Sequence, residues 1–307
     1  MNGILTIIGG SDIDTYYEVE SFLQAGDACI ATEEGDQIGG CVLNVGMIAS
    51  RLGMNVQVLD YLKENDPGTD LLIAKMKENG LDTSGIRYGK DVVNGRCLIM
   101  HQGNEKCIYV LLPKHPHYDL EDGSVQEQLN RSTVIYSLMH EIHDSFRDFT
   151  PLAEAQRHGA RIAFDGSSQY QDPRDLETLC LADYVFLNKQ AYQRICDLTG
   201  RDTGEYLLEK GLSLICVTDG SRGARCITKD GELYEKAPRI DHVVDSTGAG
   251  DTFAATFLVS LDQGLSYREC LKRSVYAGSR KCLYAGALGA LCSLEELEAF
   301  IREKTEK

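Results

Sequence analysis

The sequence predicts an α/β protein of three layers, helix, sheet and helix, with a mostly parallel central sheet and a small β-sheet lid. Three observations carry that prediction. Apolar runs of strand length alternate with amphipathic runs of helix length over most of the chain, the pattern of parallel strands joined by crossover helices. The strand-like runs are apolar nearly throughout, as strands covered on both faces must be. Between residues 95 and 112 the alternation breaks into two strand-like runs around the turn Gln102-Gly103-Asn104-Glu105, which signals an antiparallel insertion.

Taken in order, residues 4–8 read as a first buried strand that turns at Gly9-Gly10, and the polar stretch 14–38 as part of the lid. A helix over 42–53, a strand over 55–60 and a helix over 69–79 ended by Gly80 follow. The 95–101 and 106–112 hairpin completes the lid. Alternation then resumes with strands at 132–139, 161–165, 183–187 and 213–218. Between and around them fall helices at 149–158, 174–180, 189–198 and 202–210. A second hairpin spans 224–235 with Lys229-Asp230-Gly231 as its turn, 240–244 is strand-like, and helices near 250–263, 267–283 and 293–305 close the chain. No linker interrupts this order, so residues 1–307 are expected to form one domain, with lid segments at about 14–38 and 95–112 over the open end of the sheet.

Bulk properties exclude some functions. The net charge of -16 repels phosphate backbones and anionic lipids, which argues against nucleic-acid and membrane-surface partners. Eleven scattered cysteines without a CxxC pair are expected to be reduced, apolar fillers. With no basic leader before Ile4 and no apolar run of membrane length, they point to a cytoplasmic protein.

The strongest local signal is Asp245-Ser246-Thr247-Gly248-Ala249-Gly250-Asp251-Thr252-Phe253, lying just before a predicted helix. Gly248, Ala249 and Gly250 allow several N–H groups to converge at a helix N-terminus, which makes a hole for an anion. Asp251, beside that hole, is placed to accept a proton from a substrate hydroxyl during phosphoryl transfer. Taken alone, the same residues could merely shape a loop and cap a helix.

The nine-residue string resembles the C-terminal signature of the ribokinase-like (PfkB) carbohydrate kinase family, in which the last Asp is the catalytic base. The resemblance covers nearly the whole chain. Gly39-Gly40-Cys41-Val42-Leu43-Asn44, running to Leu52-Gly53, is similar to the family's other signature, and Gly9-Gly10-Ser11-Asp12-Ile13-Asp14 to its opening segment. It implies an ATP-dependent phosphotransferase using Mg2+, acting on a hydroxyl of a small sugar or sugar derivative. Asp14, Gly39, Gly40 and Asn44 would hold the substrate. Val217-Thr218-Asp219-Gly220-Ser221-Arg222-Gly223 is similar to the nucleotide-side loop, which puts Thr218, Gly220 and Gly223 near ATP together with Asn188. A monovalent cation, K+, is implied beside the anion hole, held by Asp245 and Thr247.

Two positions depart from the family pattern. Asn188-Lys189-Gln190-Ala191 keeps the Asn of the family's Asn-x-x-Glu and loses the Glu, as in members resembling ketohexokinase. Cys41 replaces a side chain that commonly touches the sugar, which moves the substrate away from ribose itself. Arg96 and the stretch Pro113-Lys114-His115-Pro116-His117 read either as recognition of an anionic substrate group or as a solvated loop. His140-Glu141-Ile142-His143-Asp144 is expected at a strand end on the cleft rim. A nucleoside kinase of the same family and a catalytically weak sugar-sensing protein stay open as alternatives. The exposed edges of the lid point to a homodimer formed through it.

Overall fold

The computed structural model describes residues 3–103, 105–121, 123–166 and 174–306. In chain order the elements begin β1 (Ile4–Ile8), β2 (Asp12–Val19), β3 (Ala31–Gly39), α1 (Cys41–Arg51) and β4 (Asn55–Leu59). There follow β5 (Tyr61–Lys63), α2 (Pro67–Glu78), β6 (Arg87–Gly89), β7 (Gly95–Gln102) and β8 (Glu105–Leu111). The alternation resumes with α3 (Ser124–Asn130), β9 (Val134–Leu138), α4 (Met139–Ser145), α5 (Thr150–Arg157), β10 (Arg161–Asp165) and α6 (Arg174–Leu179). Next come β11 (Tyr184–Asn188), α7 (Lys189–Thr199), α8 (Thr203–Glu209), β12 (Leu214–Thr218), β13 (Ala224–Thr228) and β14 (Gly231–Glu235). Helices α9 (Ala249–Asp262), α10 (Tyr267–Lys281) and α11 (Leu294–Thr305) end the chain.

The central sheet has the order β14-β13-β12-β11-β10-β9-β1-β4. It is parallel from β12 to β4, and the β13–β14 hairpin adds an antiparallel edge. Its strands are apolar on both sides because each side has its own core. Leu5 and Ile7 point into one with Leu43 of α1, Phe257 of α9 and Leu271 of α10. Ile8 points into the other with Ile142 of α4, Leu152 of α5 and Ile195 of α7. The helices start where the sequence stops them locally: Asp66 caps α2, and capping boxes Ser266/Glu269 and Ser293/Glu296 open α10 and α11.

From β1 the chain steps to β4 on one side and later to β9 on the other, so a crevice opens at the carboxyl ends of these strands. Over it lies a second sheet of order β3-β2-β7-β8. Along β2 the side chains alternate. Ile13 and Thr15 are buried on one face, with Ile13 against Gly68 of α2, while Asp12 and Asp14 point the other way. Strand β8 forms the outer edge and leaves Ile108, Tyr109, Val110 and Leu111 exposed.

Some expectations fail. Residues 240–244 form no strand: the sheet ends at β14, Val243 and Val244 are exposed, and the Val244 N–H bonds to the Cys282 carbonyl and not to a neighbouring strand. His140 to Asp144 follow the end of strand β9, as expected of them, and are folded into α4. Helix α3 and the two-stranded sheet of β5 and β6 have no counterpart in the sequence reading. Asn104 of the predicted hairpin turn lies outside the described residues. Among the described residues no helix is long and apolar enough to cross a membrane.

Candidate active site

Helix α9 begins at Ala249 with Gly248 as its N-cap, in the left-handed conformation (φ 77°, ψ 4°). A side chain at Gly248 would collide with the backbone of Ala287. The Ala249 N–H is already bonded to the Ser246 carbonyl and the Thr252 N–H to that of Gly248. The N–H groups of Gly248, Gly250 and Asp251 are left without an acceptor among the described residues. Of the three residues of the predicted anion hole, Ala249 therefore has its N–H taken up by the Ser246 carbonyl, while the next unbonded donor along the helix is that of Asp251.

The two glycine-containing segments meet at this point. Asn44, buried in α1, donates its amide to Asp251 Oδ2 at 2.7 Å. Helix α1 is brought there by Gly40 at its N-cap (φ 95°), where a Cβ would lie 2.0 Å from the Gly10 carbonyl oxygen. A Cβ on Gly39 would likewise run into the Asp14 carboxylate, so Gly39, Gly40, Asp14 and Asn44 close on one another. Asp14 Oδ1 and Asn44 Oδ1 are buried with no partner among the described residues. Buried polar atoms are normally paired, so two such acceptors near Asp251 mark the place of a ligand with hydroxyl donors.

The titratable side chains around this point are mostly acids, and packing holds several of them towards their neutral form. Burial raises the Asp251 carboxyl to about 7, against the Asn44 hydrogen bond, with Asp165 adding to the rise and Lys281 opposing it. Burial, then Glu141 and Asp14, raises Asp12 to about 7. Burial and Glu141 raise Asp60 to about 8. Burial also raises Asp14, opposed by Cys97 and by Lys106 of the lid. His140 would be lowered by burial, yet the bond to Glu141 and nearby acids hold it above its ordinary value. A carboxyl raised on folding holds its proton more tightly in the folded state. Its contribution to stability is full below about pH 4 and lost as pH rises through the folded values. Between pH 6 and 8.5 the melting temperature is therefore expected to fall by several degrees, and Asp60→Asn is expected to flatten the decline. Melting curves across that range check this; a flat profile would mean that these acids are already ionised in the fold.

On the far side of α9 a cavity of about 790 Å³ opens, a size suited to a nucleotide-like ligand. Its wall includes the predicted Thr218, Gly220 and Gly223, and its floor Ala249 and Gly250. Ile240 and Val243, read from the sequence as strand, instead supply an apolar wall. A Cβ at Gly250 would meet nothing within 4 Å, so the floor is open to whatever enters.

Comparison with known proteins decides the family. Residues 5–291 match the model of the pfkB family carbohydrate kinases. The chain belongs to that family. Its relatives include a ribokinase of Lactococcus lactis, 35% identical over 303 residues and covering 97% of each chain. Another is a 2-dehydro-3-deoxygluconokinase of Bacillus subtilis, 34% identical over 284 residues and covering 86% of each. The fold matches the crystal structure of a ribokinase of Thermotoga maritima with TM-score 0.84 at 22% identity, over 98% of this chain and all of that one. It matches Arabidopsis thaliana ribokinase, solved with ribose and ATP, with TM-score 0.83 at 19% identity, over 98% and 99%.

The other positions taken from the PfkB pattern are distributed unevenly. Asn188 ends β11 opposite Thr218 and caps α7 by accepting from Ala191 N–H; Ala191, in place of the family Glu, is buried. Arg96 is not brought together with Asp14. In the β2–β7 register it sits opposite Ile13, and its guanidinium is bound to Thr15 and Asp36 on the same face of the lid. His115 of the basic stretch stacks on Tyr61. Asp245 and Thr247 are tied to each other: Asp245 Oδ1 accepts from Thr247 N–H and Oγ1, and Oδ2 from Gly286 N–H. The Asp245 carbonyl accepts from Lys281 Nζ, so the expected cation ligands are already engaged.

Three residues near Asp251 escaped the sequence reading. Asp165 ends β10, and its position at the carboxyl end of a parallel strand was a usable signal. Lys106 reaches from the lid strand β8 to Thr247 Oγ1, and nothing local marked it out in a polar hairpin. Lys281 ends an amphipathic helix, where a lysine is ordinarily solvated, yet its side chain is buried.

Proposed function

We propose that the protein transfers the γ-phosphate of ATP to a hydroxyl of a neutral, polyhydroxylated sugar or sugar derivative. The observation that carries this is the Asn44–Asp251 hydrogen bond beside the free N–H groups of Gly250 and Asp251. Together they put a base, its orienting amide and an anion hole at one point. Asp251, with its raised pKa, takes the proton of the attacking hydroxyl, and the first turn of α9 holds negative charge as the phosphoryl group moves. Asp14 and Asn44 orient the acceptor through their unpaired oxygens. The acidic setting of Asp12, Asp14, Glu141 and Asp165, with Arg96 turned away, supports an uncharged acceptor over a sugar phosphate or acid. The open wall at Thr218, Gly220 and Gly223 fits the nucleotide. Among the described residues no group of three acids, histidines or cysteines stands ready for a metal. Magnesium bound with the nucleotide would supply neutralisation of phosphate charge.

The lid supports two further readings. Lys106 lies where it links lid and anion-hole loop across the cleft, so closure excludes water from the site. The exposed apolar edge of β8 suits a second copy of the chain, giving a homodimer through the lids. The absence of a described membrane helix and the free cysteines are in keeping with a cytoplasmic enzyme.

The test is an ADP-release assay with magnesium against pentoses, ketohexoses, nucleosides, sugar acids and sugar phosphates. Turnover with a neutral sugar is expected. Turnover confined to sugar phosphates or acids would overturn the assignment of a neutral acceptor. Turnover confined to nucleosides would move it to the nucleoside kinases. Tight sugar binding without turnover on any acceptor would make the protein a sensor.

A further inference from the structure

Lys281 is the last residue of α10, and none of its surface is exposed. An ammonium group is expensive to bury unless it is paired and hydrogen-bonded. Its Nζ donates to two main-chain carbonyl oxygens, Asp245 O at 2.8 Å and Tyr284 O at 3.0 Å. Burial lowers its pKa from the ordinary lysine value and Lys106 adds to that, while the nearby acids Asp245 and Asp251 oppose the fall. Main-chain carbonyls converging on one positive charge are the ligands that a dehydrated monovalent cation takes. Here a side chain of the protein occupies that place.

The two carbonyls belong to the two loops that shape the anion hole. One is the loop from Asp245 to Gly248, which ends at the N-cap of α9. The other runs through Tyr284, Gly286 and Ala287; Gly286 N–H binds the Asp245 carboxylate, and Ala287 is packed against Gly248 so closely that a side chain there would clash. Lys281 therefore holds these loops together from beneath. We propose that Lys281 is a built-in cation of the anion hole, a positioning residue that does the work of a bound monovalent ion, so the protein needs neither potassium nor sodium. This rests on the phosphotransferase reading given above, and it departs from the cation that the sequence resemblance implies at Asp245 and Thr247.

The test compares the wild type, Lys281→Met and Lys281→Ala in buffers of equal ionic strength containing only tetramethylammonium, sodium or potassium chloride. Both kcat and melting temperature are read. The wild type is expected to vary by less than about twofold in kcat among the three salts, because its cation is covalently attached. Lys281→Met keeps the bulk without the charge and is expected to lose about 10- to 100-fold in kcat in every salt. Lys281→Ala vacates the space and is expected to lose as much in tetramethylammonium. Potassium should then recover about tenfold, with a rise in melting temperature that the wild type does not show.

Many-fold potassium activation of the wild type would overturn the proposal, as would a folded Lys281→Ala with full kcat in tetramethylammonium. If neither variant folds, the wild-type salt series alone decides. If the wild type turns over no acceptor, the function fails separately and the melting temperatures still judge Lys281. A potassium-specific rise confined to Lys281→Ala supports it, and the same rise in the wild type refutes it.

Discussion

Asp251→Asn is expected to lower phosphate transfer by about three orders of magnitude while ATP binding stays close to that of the wild type. The substitution is nearly isosteric, and position 251 keeps its backbone N–H at the first turn of α9. What is lost is the ability to take a proton. In the wild type burial holds this carboxyl at about 7. The ionised form is the active base, so kcat/KM should rise with pH up to about 7 and level off above it. Below that point it should fall about tenfold per pH unit. Single-turnover kinetics and nucleotide binding by calorimetry separate the two effects. Undiminished transfer by the variant would remove Asp251 from the chemistry.

Gly248→Val is expected to damage fold and activity together. The residue lies at φ 77°, where a β-branched side chain is strained by roughly 1–3 kcal/mol. The new Cβ would also stand 2.7 Å from the carbonyl oxygen of Ala287 and 2.8 Å from its Cα. These are backbone atoms of a packed loop and cannot turn aside as a flexible side chain would. Relief requires moving the N-terminus of α9 away from the loop that Lys281 ties to it. A drop of several degrees in melting temperature and a loss of about 100-fold or more in kcat are expected. Gly250→Ala is the control, since its Cβ meets no protein atom within 4 Å and Ala suits a helix better than Gly. It should keep the melting temperature and raise the KM for ATP, because Gly250 lines the cavity proposed above for the nucleotide. Equal melting temperatures for Gly248→Val and wild type would show that the loop yields without cost.

Much of this site was legible before folding because its signals are local. The turn of Gly248 to Gly250 before an apolar helical run specifies a helix N-terminus by itself, and an acid in the first turn must then lie near the exposed N–H groups. Thr218 to Gly223 was singled out by its similarity to the family's nucleotide-side loop; alone, a strand ending in glycines before a hairpin marks only a turn. The segment 240–244 was misread because its apolar residues have the composition of a strand, and composition does not report whether a pairing partner exists. They serve as the lining of a cleft instead.

By itself the sequence determined the alternation of strands and helices, the placement of the antiparallel insertion, and the glycine turn before α9 with an acid in its first turn. Each is set by side-chain periodicity or by backbone freedom within a few residues. The tertiary structure alone decided which distant groups share the cleft. Asn44 reaches Asp251 across 207 positions of sequence because α1 and α9 pack on the same face of the sheet. Arg96 leaves the cleft because the β2–β7 register sets it opposite Ile13, and in a pleated strand that register settles which face a side chain takes. Lys281 turns inward only because two loops bring their carbonyls over the end of α10. Burial and partnership are properties of the packed molecule, so no pattern within α10 distinguishes this lysine from the solvated ones on other helices.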